Sequence, residues 1–375
     1  MPIDIPPPPA FVQPVAAAPS PMVPSIRSYA PGPARCGGET VTPLRVVDPV
    51  PDGMVLPRQG SSAASRVQAP VTLAFEVDPE GRPIGIARAP ENNWMADDVE
   101  PAFAAWRFPA GAPRRHCTIR FDIRDMAVAE AEASLLHAYL ATRASRLFRH
   151  SPPEVSRAAE ARGRPAGSTC TPRPGARLWA MPDFDSIPQE QGRIGWNRLA
   201  FDVDGRGRAA NIRLLGSSGN ADLDRKSVAA LRQSRFTRPA RGCTYNFYRN
   251  PARPTPPPAA PVSLAAYRTD TATCDPPQEQ HSEERGWLSL APLNYPENFR
   301  RRGIEGWAII RYDFAPWGQT GNVSVVEAQP ASGFGAMAKS IVERSRRRPA
   351  GYGGTGCLEL VRFRMPPAEP AAAEE

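Results

Sequence analysis

Apolar and polar residues alternate with period two in three separated stretches, and the stretches align with one another. Ala74-Phe75-Glu76-Val77-Asp78-Pro79-Glu80-Gly81-Arg82 lies without a gap on Ala200-Phe201-Asp202-Val203-Asp204-Gly205-Arg206-Gly207-Arg208, and more weakly on Arg311-Tyr312-Asp313-Phe314-Ala315-Pro316-Trp317-Gly318-Gln319. A second alternating run follows each turn, at 84–87, 210–215 and 323–326. Alternation on both sides of a Gly/Pro/Asp turn predicts a β-hairpin with one buried face. Helix-like segments come next, at 97–106, after Asp222 as N-cap in the middle copy, and at 336–344. All three leave through arginine and soon proline, and a short last strand follows that opens on Cys117, Cys243 or Cys357. A proline-led segment precedes each hairpin, and Pro296–Arg302 reads as a short helix stopped by Gly303.

The expected fold class is therefore α+β: three tandem units, each a three-stranded antiparallel sheet with two helices in the order α-β-β-α-β. The 46 prolines in 375 residues, against a usual share of about 5%, mark extended connections. The resulting division is a Pro-rich disordered spacer over 1–35, a first unit over 36–124, a helical connector over 125–169 and a second unit over 170–249. A Pro-rich linker over 250–273, a third unit over 274–366 and a disordered tail over 367–375 complete the chain. Within the connector, Asp125 reads as an N-cap ahead of Val128, Leu135, Leu136, Tyr139, Leu140, Leu147 and Phe148 at helical spacing. That segment is expected to pack against a unit or to act as a semi-rigid spacer.

Each unit holds two of the six cysteines, one leading and one at the start of the last strand. The simplest of the fifteen connectivities open to six cysteines pairs Cys36 with Cys117, Cys170 with Cys243, and Cys274 with Cys357. Buried free thiols are one rival reading; a zinc site is another, although it lacks the close C-x-x-C ligand pairs. Disulfides imply an oxidising compartment, here the periplasm. No apolar run long enough to span a membrane and no export signal is visible in the numbered chain, so an anchor or signal would belong to a segment absent from it.

Formal net charge is +8, carried almost wholly by arginine, with Lys226 and Lys339 the only lysines. The runs 300–302 and 346–348 attract attention, but no recognition motif accompanies them, so nucleic acid is not expected as a partner. His116, His137, His150 and His281 fall in different segments without metal-ligand or nucleophile spacing, and the glycine-rich stretch 351–356 has no lysine for a phosphate loop. No catalytic, cofactor-binding or metal residue is expected, and the chain is not read as an enzyme.

Taken together, Tyr295-Pro296, Gly303-Ile304-Glu305-Gly306-Trp307-Ala308, the hairpin with Gly318, and in the middle unit Phe201-Asp202-Val203-Asp204, Ser217-Ser218-Gly219, Leu223-Asp224 and Arg235-Phe236 resemble the C-terminal domain of TonB, the energy transducer of Gram-negative bacteria. Such proteins have an inner-membrane helix, a Pro-rich periplasmic spacer and usually one such domain, which pairs with a short extended segment of outer-membrane receptors. The resemblance implies a periplasmic protein-binding role, coupling to outer-membrane receptors for energised transport by strand addition at a sheet edge. The alternative is a scaffold, without energy input, that binds the cell wall or associates with itself. A sheet edge presents unpaired backbone groups to an incoming strand. The expected edge is the last strand of the third unit, Leu358, Glu359, Leu360, Val361, Arg362, Phe363 and Arg364.

Overall fold

The structure is a computed structural model and describes residues 22–57, 66–89, 98–142, 152–170, 175–251, 253–274 and 286–365. The first part of the chain contains β1 (Met22–Pro31), β2 (Ala34–Cys36), β3 (Glu39–Val41), β4 (Asp52–Pro57), β5 (Arg66–Val77), β6 (Pro83–Ala89), α1 (Val99–Ala104) and β7 (Arg114–Ala127). These strands form a seven-stranded antiparallel sheet ordered β3-β2-β7-β1-β4, with β5 on the other side of β7 and β6 beyond it. Helices α2 (Ala133–Thr142) and α3 (Pro153–Arg162) follow. The middle part has β8 (Ala176–Leu178), β9 (Gly195–Val203), β10 (Ala209–Ser217), α4 (Ala221–Gln233), β11 (Arg235–Phe236) and β12 (Ala240–Arg249). The last has β13 (Trp287–Ser289), α5 (Glu297–Arg301), β14 (Gly306–Phe314), β15 (Thr320–Gln329), α6 (Ser332–Arg344), β16 (Arg346–Arg347) and β17 (Gly354–Phe363). Their main sheets are β10-β9-β12 and β15-β14-β17, each beside a two-stranded ladder, β8 with β11 and β13 with β16. The fold is α+β, with several small antiparallel sheets and few helices.

Equivalent backbone devices set the three hairpins. Gly81, Gly207 and Gly318 adopt φ of 78°, 74° and 87°, a left-handed conformation that favours glycine. A Cβ at these positions would sit 2.1, 2.3 and 2.0 Å from the carbonyl oxygens of Phe108, Phe236 and Arg347. The amides of those same three residues donate to the glycine carbonyls at 2.8, 2.8 and 2.9 Å. The turn thus clamps the segment that leaves the helix. Four residues on, Gly85, Asn211 and Asn322 also have positive φ, the mark of a bulge that twists the second strand. A further positive-φ residue stands just before each last-strand cysteine, at His116, Gly242 and Gly356. Asp202 ties both irregularities together: it accepts from Asn211 Nδ2 and from the Gly242 amide, each at 2.8 Å. Asp313 does the same for Asn322 and Gly356.

Helix α4 buries Leu223, Ala230 and Leu231 and packs over β9 and β10. Its N-cap is Asn220, whose side chain accepts from the Leu223 amide at 2.9 Å. Asp222, expected as the cap, lies within the first turn, where its charge favours the helix N-terminus. Helix α6 buries Phe334, Ala338, Ile341 and Val342 over the β14–β15 sheet.

Several expectations are corrected. The first and third parts do not have separate cores: Phe75, Phe103, Phe108 and Phe121 belong to one apolar cluster with Trp287, Phe299, Tyr312, Phe334 and Phe363. They join where the Ile86 amide donates to Pro330 O and the Gly85 amide to Gln329 Oε1, both at 2.9 Å. Segments of about 80 residues bury little surface alone, and sharing a core enlarges it. The middle part keeps its own cluster around Leu199, Phe201, Leu231, Phe236 and Phe247. The first sheet has seven strands, not three, because β7 continues its alternation through Ile119, Phe121 and Ile123 to Ala127 and gains β1 and β2 on its outer side. Asp125 is therefore a strand residue, not a helix cap, and is held by Arg27 in a buried two-pronged ion pair at 2.7 and 2.8 Å. The described part of the expected 125–149 helix is α2, and residues 143–149 lie outside the described residues.

The expected spacer over 1–35 reaches only as far as β1; residues 1–21, like the 367–375 tail, lie outside the described residues. A helix ahead of the hairpin is found in the third part alone among the described residues. In the first part the expected segment starts at Leu56-Pro57, and residues 58–65 lie outside the described residues; in the middle part Pro182 and Pro188 keep the stretch extended or turned. Nor is the Pro-rich 250–273 segment a free linker. It lies on the second face of the β14–β17 sheet, where Ala260, Leu264 and Tyr267 pack on Trp307, Ile309 and Leu358. Trp307 Nε1 donates to Pro258 O at 2.9 Å, and Tyr267 OH to Glu327 at 2.7 Å, which pushes the Tyr267 hydroxyl up to about 12.

Arg302 knits the three parts. Its side chain is 1% exposed; Nε donates to Asp98 at 2.7 Å, Nη1 to Gly192 O at 2.9 Å and Nη2 to Asp48 O at 2.9 Å, with Asp98 also contacted by Nη2. Arg347 donates to Tyr312 OH at 2.8 Å and stacks over Phe314. In each arginine run, then, at least one guanidinium is engaged within the chain rather than offered to an external acidic partner.

Candidate functional site: the open edge of the last strand

β17 hydrogen-bonds to β14 from Gly306↔Phe363 to Tyr312↔Cys357, and among the described residues no strand pairs with its other side. The expected edge residues Leu358, Glu359, Leu360, Val361, Arg362 and Phe363 are all in this strand, and Arg364 follows it. Their side chains alternate. Val361 and Phe363 join the cluster beneath α6, whereas Leu358 and Leu360 face the Pro-rich segment. Arg362 and Arg364 are exposed, and Glu359 accepts from Trp287 Nε1 at 3.3 Å.

Both ends of the edge are anchored. At its start, Cys274 is bonded to Cys357, the Thr273 amide donates to Thr355 O at 3.0 Å, and the Thr355 amide donates to Thr273 Oγ1 at 2.8 Å. At its end, the Met365 amide donates to Glu305 at 2.8 Å, and Tyr295 OH donates to Ile304 O at 2.6 Å and to Phe363 O at 3.5 Å. Burial raises the Tyr295 hydroxyl, so it remains a donor at all ordinary pH. Held extended at both ends, the stretch between offers backbone groups without an ordering cost, which is what an incoming strand requires.

All six cysteines are bonded in the simplest pairing: Cys36–Cys117, Cys170–Cys243 and Cys274–Cys357. The middle part repeats the anchoring, since the Thr169 amide donates to Arg241 O at 3.0 Å beside the Cys170–Cys243 bond. Among the described residues no group of His, Cys, Asp and Glu is placed to hold a metal, and no helix is long and apolar enough to cross a membrane. His116 occupies the bulge before Cys117, and His137 lies in α2; His150 and His281 are outside the described residues.

Sequence reasoning missed Arg302, β1 and the packed Pro-rich segment. A further repeated device had a visible signal: Ser234 and Ser345 each end a helix, accept from the amides of Ala180 and Ala291 at 3.1 and 3.0 Å, and stand just before the Arg exits already aligned. The buried long-range ion pairs had none.

Residues 291–364 match the family described as Gram-negative bacterial TonB protein C-terminal. The chain is also 32% identical over 97 residues to protein TonB of Klebsiella pneumoniae, a match that spans 26% of this chain and 39% of that relative. The matched family segment contains the hairpin, α6 and the open strand, and it is residues 291–364 that are similar to the TonB C-terminal domain.

Proposed function

We propose that the chain is a periplasmic protein-binding protein of the TonB type that takes an extended segment of a partner along the open edge of β17, residues 358–364. The observation that carries this reading is an unpaired edge, anchored at both ends, inside the segment that matches the family. Outer-membrane receptors are the partners that the likeness favours, and the three disulfides suit an oxidising envelope compartment. The three parts are diverged copies of one module. Support comes from the matching turn glycines, bulges, cysteine bonds and backbone clamps. The copies have since been packed into one body, so any avidity arises from fixed edges and not from flexible linkers.

The test uses the full oxidised chain and synthetic peptides covering the N-terminal extended segments of outer-membrane receptors. Binding is followed by fluorescence anisotropy, and the site by amide exchange. A binding peptide should slow exchange at 358–363, and Leu360→Pro, which removes a backbone donor from the edge, should lower affinity at least tenfold. Absence of binding by every peptide, or unchanged affinity in the variant, would sink the reading. Concentration-dependent dimerisation with protection of the same amides would favour self-association.

A further inference from the structure

The three last strands differ in one respect. Aligning them on Cys117, Cys243 and Cys357 sets Thr118–Arg124 of β7 against Thr244–Asn250 and Leu358–Arg364. Among the described residues, β12 and β17 have strand partners on one side only. The corresponding edge of β7 is covered along its whole length by the chain itself. Arg35 of β2 stands opposite Thr118, the Gly32 amide donates to Arg120 O at 2.7 Å, and β1 continues from Pro31↔Phe121 to Ser25↔Ala127. The added strand is held by its side chains as well. Ile26 is fully buried against Val128, Leu136, Tyr139 and Val155, Arg27 pairs with Asp125, and Tyr29 OH donates to Asp52 at 2.5 Å. β4 then pairs with the far side of β1, so no backbone row of β7 is left exposed there.

We infer that residues 22–31 are an in-chain ligand. They occupy the edge of the first module that the third leaves open, and so convert the first module from a strand acceptor into a brace. Capacity for partner strands then lies with β17 and its counterpart β12. This inference rests on the last-strand edge being the docking site. The brace has a visible use: through Ile26, β1 fastens α2 and α3, and those helices in turn hold the middle module by Asn246 Nδ2 donating to Leu140 O at 2.8 Å and Arg198 donating to Gly163 O at 3.4 Å.

The experiment needs no receptor. In the full oxidised chain, hydrogen exchange of the outward amides of β7 at 120, 122 and 124 should be at least a hundredfold slower than at 358, 360 and 362 of β17. In the variant Ile26→Asp with Arg27→Glu, a labelled synthetic peptide of residues 20–33 should bind and restore protection at 121–127, whereas the unaltered chain should not take it up there. Equal exchange rates on the two strands, or uptake of the peptide at 121–127 by the unaltered chain, would overturn the inference. So would a variant that keeps native protection at 195–249 and 306–363 yet gains no peptide site. If the variant loses protection throughout, the exchange comparison in the unaltered chain decides alone. Receptor peptides failing to bind β17 would leave these results standing, so the two readings fail separately.

Discussion

Replacing Arg302 by methionine keeps the length of the side chain and removes its charge and donors. In the native protein those donors reach both carboxylate oxygens of Asp98 and the carbonyls of Gly192 and Asp48, one group from each of the other parts and a second from the first. Without Arg302, Asp98 stays 5% exposed with the Val50 amide as its remaining partner among these contacts. Removing one member of a buried pair costs about 3–5 kcal/mol, because an uncompensated charge stays behind. Asp48 is exposed, so its carbonyl can recover water and adds little, whereas the Gly192 carbonyl is buried and pushes the loss toward the upper end of that range. For a chain of 375 residues, with an unfolding entropy of about 2.1 cal/mol/K per residue, the loss corresponds to a fall of roughly 4–6 °C in Tm. Because Arg302 spans all three parts, the middle part should also begin to unfold at lower denaturant than the rest. Urea titration followed by tryptophan fluorescence, with amide exchange at 195–249, reads both effects. The double variant Arg302→Met with Asp98→Asn should recover at least half of the loss, since the stranded charge is gone. A single variant within about 0.5 kcal/mol of the parent, or a double variant no better than the single, would refute the assignment of Arg302 as the joint.

The remaining expectations follow from named contacts. Cys274→Ser with Cys357→Ser opens a loop of 83 residues and should lower stability by about 4.5 kcal/mol on the chain-entropy scale; thermal melts with and without reductant check this, and an unchanged Tm in reductant would count against it. Gly318→Ala puts a Cβ 2.0 Å from the Arg347 carbonyl oxygen, at a left-handed backbone position, and should cost about 2–3 kcal/mol. Gly37→Ala, with nothing within 4 Å of its Cβ, should cost about 1 kcal/mol. Comparing their denaturation midpoints separates clash from backbone strain. Burial, followed by the nearby Arg198 charge, lowers the pKa of His137, whose Nδ1 is buried without a hydrogen-bond partner. The unfolded chain therefore binds the proton more readily. Stability is fully present above the ordinary histidine range near 6.5 and falls as pH drops below it. His137→Gln should flatten the dependence of Tm on pH between 7.5 and 5, and an equally steep dependence in the variant would exclude His137 as its source.

The repeated hairpins were legible along the chain because local chemistry decides them. Period-two alternation sets which face is buried, glycine alone suits φ near 80° with a carbonyl 2 Å away, and paired cysteines stand at fixed places around each sheet. The strand over 358–363 was legible too, because its residues alternate locally, whereas its having a strand partner on one side only among the described residues was decided by the tertiary structure. Tertiary structure decided the remainder. Whether prolines at 250–273 hang free or lie on a sheet depends on an apolar face supplied by Trp307, Ile309 and Leu358, far along the chain. Whether Arg302 is a solvated charge or a buried joint depends on Asp98, Asp48 and Gly192 converging from parts separated by more than a hundred residues. The strand at 22–31 carries ordinary residues, and only the outer edge of β7 gives them a place. Local sequence fixes the modules because their turns and alternation act within a few residues; the way they pack follows from burying surface that a single small module cannot cover alone.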